Sequence, residues 1–198
     1  VGFSYARFIT PNAFAYGSPN GVTPNLEAME ALLKAVSGLL GRDETYFGSF
    51  PSEVRPDSVT PEAVALVRRY AANDTILLGA QSGSQRLLNE MSRGHSPADI
   101  IRATRIIHEG GLSPTVDFIF GLPGETGKDR QETIAVIHEI VDLGATIHSH
   151  VFMPLPGTPW ADMPPGTMAA EYESLVGELS RLGRHYGQWG RQERLARQ

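Results

Sequence analysis

The sequence predicts an α/β fold of parallel βα units, and three observations carry that reading. Five short apolar stretches alternate with amphipathic helical patterns, the loop after each stretch is polar or rich in Gly and Pro, and the returns from helix to strand are short. This order implies parallel strands joined by right-handed crossovers. Ligands in such folds sit at the C-terminal ends of the strands. An open flavodoxin-like sheet has the same strand count. A partial barrel is preferred, because loops of functional character follow all five strands rather than one switch point.

The first strand, Ala6–Thr10, is ended by Pro11-Asn12, and a loop rich in turn residues runs over 13–21. A helix follows, with Thr23 as N-cap, Pro24 in the first turn and Leu26, Met29, Leu32, Leu33, Val36, Leu39 and Leu40 at three-and-four spacing before Gly41. The second strand is Thr45–Phe50, followed by the loop Pro51–Pro56. Thr60-Pro61-Glu62 then starts a helix with Val64, Leu66, Val67 and Tyr70 on its inner face. The third strand, Thr75–Leu78, runs into Gly79-Ala80-Gln81-Ser82-Gly83-Ser84, which opens a helix through Leu87, Leu88 and Met91. Ser96-Pro97 starts the next helix, with Ile100, Ile101, Thr104, Ile107 and His108 at helical spacing and Gly110-Gly111 as its stop. The fourth strand, Thr115–Phe120, turns at Gly121–Thr126 into a helix carrying Ile134, Ile137, Ile140, Val141 and Leu143. The fifth, Thr146–Met153, is closed by Pro154–Pro159, and a last amphipathic helix is expected from about Met168 to Tyr186, before a frayed polar tail. Residues 1–160 are therefore read as one barrel-like domain and 161–198 as a C-terminal helix and tail.

At 198 residues the chain is long enough for one domain with a core. The formal charge of −5 gives no global field to attract nucleic acid or an anionic membrane. No apolar run reaches the length of a membrane span, and the first residues show neither a charged leader nor an apolar signal core, so a cytoplasmic protein is expected. The absence of cysteine excludes disulfides, thiolate metal sites and a cysteine nucleophile from this chain. A start at Val1 rather than Met is the mark expected of a fragment.

Chemistry concentrates at the strand ends. The Gln81 amide both donates and accepts, which suits a ribose diol. Ser82, Gly83 and Ser84 permit close backbone approach and add hydroxyls. Arg93, twelve residues after Gln81, offers a fork for a carboxylate. Equally, Ser84 is a helix cap and Arg93 a cation at a helix C-terminus, and spacing alone leaves the two readings balanced. Asp117 lies in an otherwise apolar run and must be paired or reach a ligand; a salt bridge to a neighbouring Arg is the alternative. The Gly121–Thr126 turn lacks the Gly-Lys-Ser/Thr of a triphosphate loop, and Ser82 lacks the context of a hydrolase elbow. His148 and His150 alternate along a strand and share a face. With no third ligand evident in sequence, no metal set is assigned.

Gly79-Ala80-Gln81-Ser82-Gly83-Ser84, then Met91-Ser92-Arg93-Gly94-His95, then Asp117-Phe118-Ile119-Phe120-Gly121-Leu122-Pro123-Gly124-Glu125-Thr126 together resemble the radical S-adenosylmethionine (SAM) superfamily. The similarity is to the branch of methylthiotransferases, cobalamin-binding radical enzymes and oxygen-independent coproporphyrinogen oxidase, and it spans Phe8 to Pro159. Phe8–Tyr16 and Pro51–Pro56 look closest to the cobalamin-binding-domain radical SAM proteins. The resemblance implies a partial (β/α)6 TIM-like barrel, a [4Fe-4S] cluster and reductive cleavage of S-adenosylmethionine to a 5′-deoxyadenosyl radical. For the full-length protein the resemblance leaves two chemistries open, methylthiotransfer and a cobalamin-dependent methyl transfer or rearrangement. Carried over by motif, Gln81 and Asp117 would hold ribose hydroxyls and Arg93 the methionyl carboxylate or ribose. Ser82 and Ser84 would line the same wall. The Gly121 turn would approach the adenine, main chain around Phe152 would bracket its other edge, and Thr10 and Asn12 would lie near the methionyl amino group.

Several departures from the family pattern matter. The three-cysteine cluster motif and the strand before it are absent, Thr10-Pro11-Asn12 replaces a glycine-glycine-glutamate motif, and the acid of the Gly121 turn arrives one position late at Glu125. The five strands are then the second to sixth of the barrel. The cluster ligands are expected upstream, the chain alone is expected to be inactive, and its uncovered sheet edge is expected to self-associate. The substrate, small or macromolecular, is unassigned; nucleic acid is disfavoured by the charge and no membrane is implicated. The competing reading is a cysteine-free barrel that binds a nucleoside or phosphorylated metabolite without radical chemistry.

Overall fold

The computed structural model describes residues 4–187. The chain divides into two compact units, Val1–Gly79 with Ala98–Thr115 and Ala80–Pro97 with Val116–Gln198. The order is β1 (Ala6–Arg7), α1 (Leu26–Leu40), β2 (Thr45–Tyr46), α2 (Pro61–Tyr70), β3 (Thr75–Gln81), α3 (Gln85–Glu90), α4 (Pro97–Glu109), β4 (Ser113–Phe120), α5 (Gly127–Asp142), β5 (Thr146–Val151), α6 (Ala170–Arg181) and β6 (His185–Tyr186). The alternation expected from the sequence is present. Among the described residues neither sheet closes on itself, and no helix is long and apolar enough to cross a membrane.

In the first unit β1 and β2 pair in parallel, Ala6 opposite Thr45. Helix α1 forms because its apolar residues recur at helical spacing, and it buries Met29 and Leu33. Its cap is Asn25, whose side chain accepts from the Ala28 N–H, not the expected Thr23. Asn20 explains the shift: its amide accepts from the Thr23 N–H at 2.8 Å and donates to the Thr23 hydroxyl at 3.1 Å, which commits Thr23 to a preceding turn. Helix α2 is capped by Thr60 with Pro61 in its first turn, as its sequence signature predicts, and buries Ala63, Val64 and Val67. Phe47 anchors the unit's core, edge-on to Phe8 and stacked on Phe14. The Asn73 amide closes the far side by bonding both the N–H and the carbonyl of Phe47.

The four-stranded sheet has the order β3-β4-β5-β6. Strand β3 is buried from Ile76 through Gln81, the near-continuous apolar pattern of a strand covered on both faces. Strand β5 instead alternates: Ile147, Ser149 and Val151 are buried, while Thr146, His148 and His150 face a less covered side. Phe120 of β4 stacks on Tyr172 of α6 with 3.9 Å between ring centroids. Helix α5 begins with a reciprocal capping box between Thr126 and Asp129. The last helix is shorter than expected. It stops at Arg181, Gly183 turns the chain at φ +67°, and His185–Tyr186 add a strand parallel to β5. The polar tail lies outside the described residues.

Candidate functional site

The end of β3 is built around one strained residue. Gln81 is 7% exposed and holds φ at +69°, a conformation that costs a residue with a Cβ on the order of 1–3 kcal/mol. Its neighbours are pinned. The Ala80 carbonyl receives the Ser82 N–H at 2.9 Å and lies 3.2 Å from Nε2 of buried His95. The Gly83 N–H donates to the Thr133 hydroxyl of α5 at 3.1 Å. Any Cβ on Gly83 would sit 2.6 Å from the Thr133 Cα, so only glycine lets the two backbones meet.

The serine hydroxyls face α5. Ser84 occupies the position before α3 but makes no capping bond; its Oγ donates to Asp129 Oδ1 at 2.6 Å. Ser82 Oγ accepts from the Ser84 N–H and lies 3.3 Å from the Thr133 hydroxyl. Both side chains are thus engaged inside the protein. Arg93 follows Ser92, itself at φ +53°, and is half-buried, with its N–H on the Leu88 carbonyl.

The group that sequence reasoning did not anticipate is Asp129 with Arg86. Arg86 grips both carboxylate oxygens, at 3.2 and 2.6 Å, and Ser84 and Thr126 add further bonds. Burial alone would raise the Asp129 carboxyl, but the Arg86, Ser84 and Thr126 bonds together hold it far below the usual carboxylate range. The Thr-x-x-Asp spacing of a capping box was the available signal.

Asp117, on β4, is 4% exposed and finds histidines rather than an arginine. Its Oδ1 lies 2.9 Å from His148 Nδ1 and its Oδ2 3.7 Å from His150 Nε2. Burial pushes this carboxyl up, yet hydrogen bonds from the two imidazoles prevail and bring it below its ordinary value. Tyr186 of β6 stacks on the His148 ring at 4.4 Å and 13°. The two histidines share a face, as their alternation predicts, and Asp117 joins them across the sheet.

The other expected site residues are placed as follows. The face of Gly121 that a side chain would occupy lies 2.6 Å from the Thr167 carbonyl oxygen, so the close approach that Gly121 permits is to the 166–167 segment. Phe152 N–H donates to Phe120 O and its carbonyl accepts from Gly166 N, while its ring packs edge-on to Trp160. In the first unit, Asn12 donates to Ser58 at 2.8 Å and accepts from the Arg55 N–H, which ties down the 51–56 loop. Thr10 bonds Ser52 through its N–H. Glu125, raised by burial, accepts from the Tyr172 hydroxyl at 2.9 Å.

The model of the radical SAM superfamily matches residues 7–137. The chain belongs to the radical SAM superfamily. Among its relatives, an uncharacterized protein of Methanopyrus kandleri is 29% identical over 166 residues, 82% of this chain and 31% of that protein. A tRNA-2-methylthio-N(6)-dimethylallyladenosine synthase of Shewanella denitrificans is 36% identical over 144 residues, 67% of this chain and 27% of that protein. The chain thus spans about a third of the length of these relatives. In structure it resembles the radical SAM coproporphyrinogen III oxidase of Escherichia coli at a TM-score of 0.62 and 17% identity, over 83% of this chain and 38% of that one. This likeness carries the fold, parallel βα units of the partial-barrel kind.

Membership implies S-adenosylmethionine and an iron–sulfur cluster. The donors present suit the first: an amide for a diol and a guanidinium for a carboxylate, at the end of a buried strand. They do not suit the second, since clusters of this kind are held by thiolates and the chain has no cysteine.

Proposed function

We propose that this chain forms the S-adenosylmethionine-holding part of a radical SAM enzyme. One observation carries the reading: within the family match, a buried glutamine is held in a left-handed conformation at the C-terminal end of β3 by neighbours pinned to α5 and to His95. Strain of this kind is retained where a side chain must be aimed. Gln81 bonds the ribose diol, and Arg93 pairs with the carboxylate of the methionyl group. Ser82, Ser84 and Gly83 hold the wall rigid against α5 rather than touching the ligand. Asp117, which the family resemblance places on the ribose, has both its oxygens turned to His148 and His150, and we leave it out of the SAM grip.

When bound, the sulfonium supplies the carbon radical of this superfamily's chemistry on reductive cleavage. The thiolates that such chemistry needs are assigned to parts of the whole protein other than this chain, which has none. Substrate and any use of cobalamin belong to the whole protein as well.

The test is calorimetric titration of the chain with S-adenosylhomocysteine, which binds without reacting. Saturable 1:1 binding is expected. Arg93→Ala should weaken it roughly tenfold to a hundredfold, as expected for a lost charge-assisted bond, and Gln81→Ala roughly threefold to tenfold. Equal affinity in the wild type and both variants would refute the assignment.

A further inference from the structure

We propose that Asp117, His148 and His150 form a binding site for one divalent first-row transition cation, of the zinc and iron(II) class. The three donors come from two strands, Asp117 on β4 and the histidines on β5. One ligand atom from each lies within 4.8 Å of the others. Tetrahedral coordination at zinc–ligand distances near 2.1 Å needs donors about 3.4 Å apart. The 2.9 Å from Asp117 Oδ1 to His148 Nδ1 and the 3.7 Å from Asp117 Oδ2 to His150 Nε2 lie near that value, one on each carboxylate oxygen, so rotation of the carboxylate and of the two rings would bring one donor from each residue to a shared cation.

The surroundings fit a cation better than a plain ion pair. A single histidine is enough to satisfy a buried carboxylate; here two converge on opposite oxygens of the same one. The rings are fixed in orientation, His148 by the Tyr186 ring stacked on it and His150 by an edge contact to His148 at 4.2 Å and 71°. Oriented rings are what a ligating histidine requires. The carboxylate is buried while the histidine side chains are 20% and 31% exposed, which leaves an entry path. Two imidazoles and one carboxylate select zinc or iron(II) over magnesium or calcium, which prefer all-oxygen sets. Three protein ligands leave a coordination position open, so an oxygen or nitrogen of a small ligand can complete the sphere. None of the three donors is among the residues assigned to the SAM grip, Gln81 and Arg93.

The test uses the whole chain, stripped with EDTA and titrated with Zn2+ at neutral pH. One equivalent should bind, and long-range proton–nitrogen spectra of the imidazoles should show two rings changing together at that equivalence. His150→Ala and His150→Gln should each weaken binding by at least about tenfold, whereas His138→Ala, an exposed histidine on α5, should leave it unchanged. Circular dichroism confirms that each variant is folded, and the ring spectra of the wild type decide the matter if a variant is not. Absence of saturable binding, wild-type affinity in folded His150 variants, or ring shifts confined to other histidines would overturn the site. S-adenosylhomocysteine affinity of His150→Ala, expected to match the wild type, separates failure of this site from failure of the SAM assignment.

Discussion

Two aspartates of the second unit are almost equally buried, Asp129 at 3% and Asp117 at 4% exposure, yet they are surrounded in opposite ways. Asp129 is enclosed by a guanidinium, two hydroxyls and a backbone N–H, all of which belong to the protein. Asp117 faces two imidazoles that are themselves partly open and that offer lone pairs as readily as protons. The comparison teaches that burial of a charge does not say what the charge is for. The partners do: a carboxylate met by fixed cations and hydroxyls fastens the fold, whereas one met by histidines at a half-open face is available for a ligand.

The largest expected effect separates the two directly. Asp129→Asn removes the buried carboxylate that Arg86, Ser84 and Thr126 all bond, although Arg86 keeps its pair with Glu90, and should cost about 3 kcal/mol in urea unfolding through those lost charge-assisted bonds. Asp117→Asn keeps a hydrogen-bonding side chain beside the histidines and should cost about 1 kcal/mol or less. Equal losses would break the distinction. Asp129 also leaves a signature in acid. The folded Asp129 carboxyl titrates well below its ordinary 3.8, so its contribution is full above that value and is lost as the pH falls below it. Stability of the wild type should therefore drop on acidification through this range, and Asp129→Asn should flatten the drop; an unchanged slope would contradict the role given to the Arg86 pair.

A smaller effect is expected where α5 meets the β3 turn. Gly83→Ala drives a methyl into the Thr133 backbone and should cost about 2 kcal/mol, whereas Gly177→Ala, with open space around it, should not destabilise the protein. The smallest effect is a near balance. Gln81→Gly removes the strain at φ +69° but also a buried side chain, so stability should change by less than about 1 kcal/mol while S-adenosylhomocysteine binding weakens. A folded variant that binds normally would show that the strain serves no ligand.

Much of this was legible in the sequence, because the signals were local. The βα alternation, the Thr60 cap and the shared face of His148 and His150 all follow from periodicity and capping chemistry. What was missed depends on placement between distant segments. The third member of the histidine group is Asp117, on another strand, and strand order and register are not written in either strand's own pattern. Asp129 reads locally as a capping residue, and only the packing of the β3 turn on α5 brings Arg86 and Ser84 to it. Strand β6 is two residues long, too short for any period to show, so His185 and Tyr186 read as the end of a helix. For the SAM wall, Gln81 and Arg93 were visible as residue types, but the turning of Ser82 and Ser84 toward α5 was not.

The most direct test of the account is residue-resolved. In amide proton–nitrogen spectra of the chain titrated with S-adenosylhomocysteine, the account predicts saturable shifts centred on the β3 turn at Gln81 to Gly83 and on Arg93, with Asp129 and its helix little moved. The absence of saturable shifts, or shifts centred elsewhere with the β3 turn silent, would contradict it.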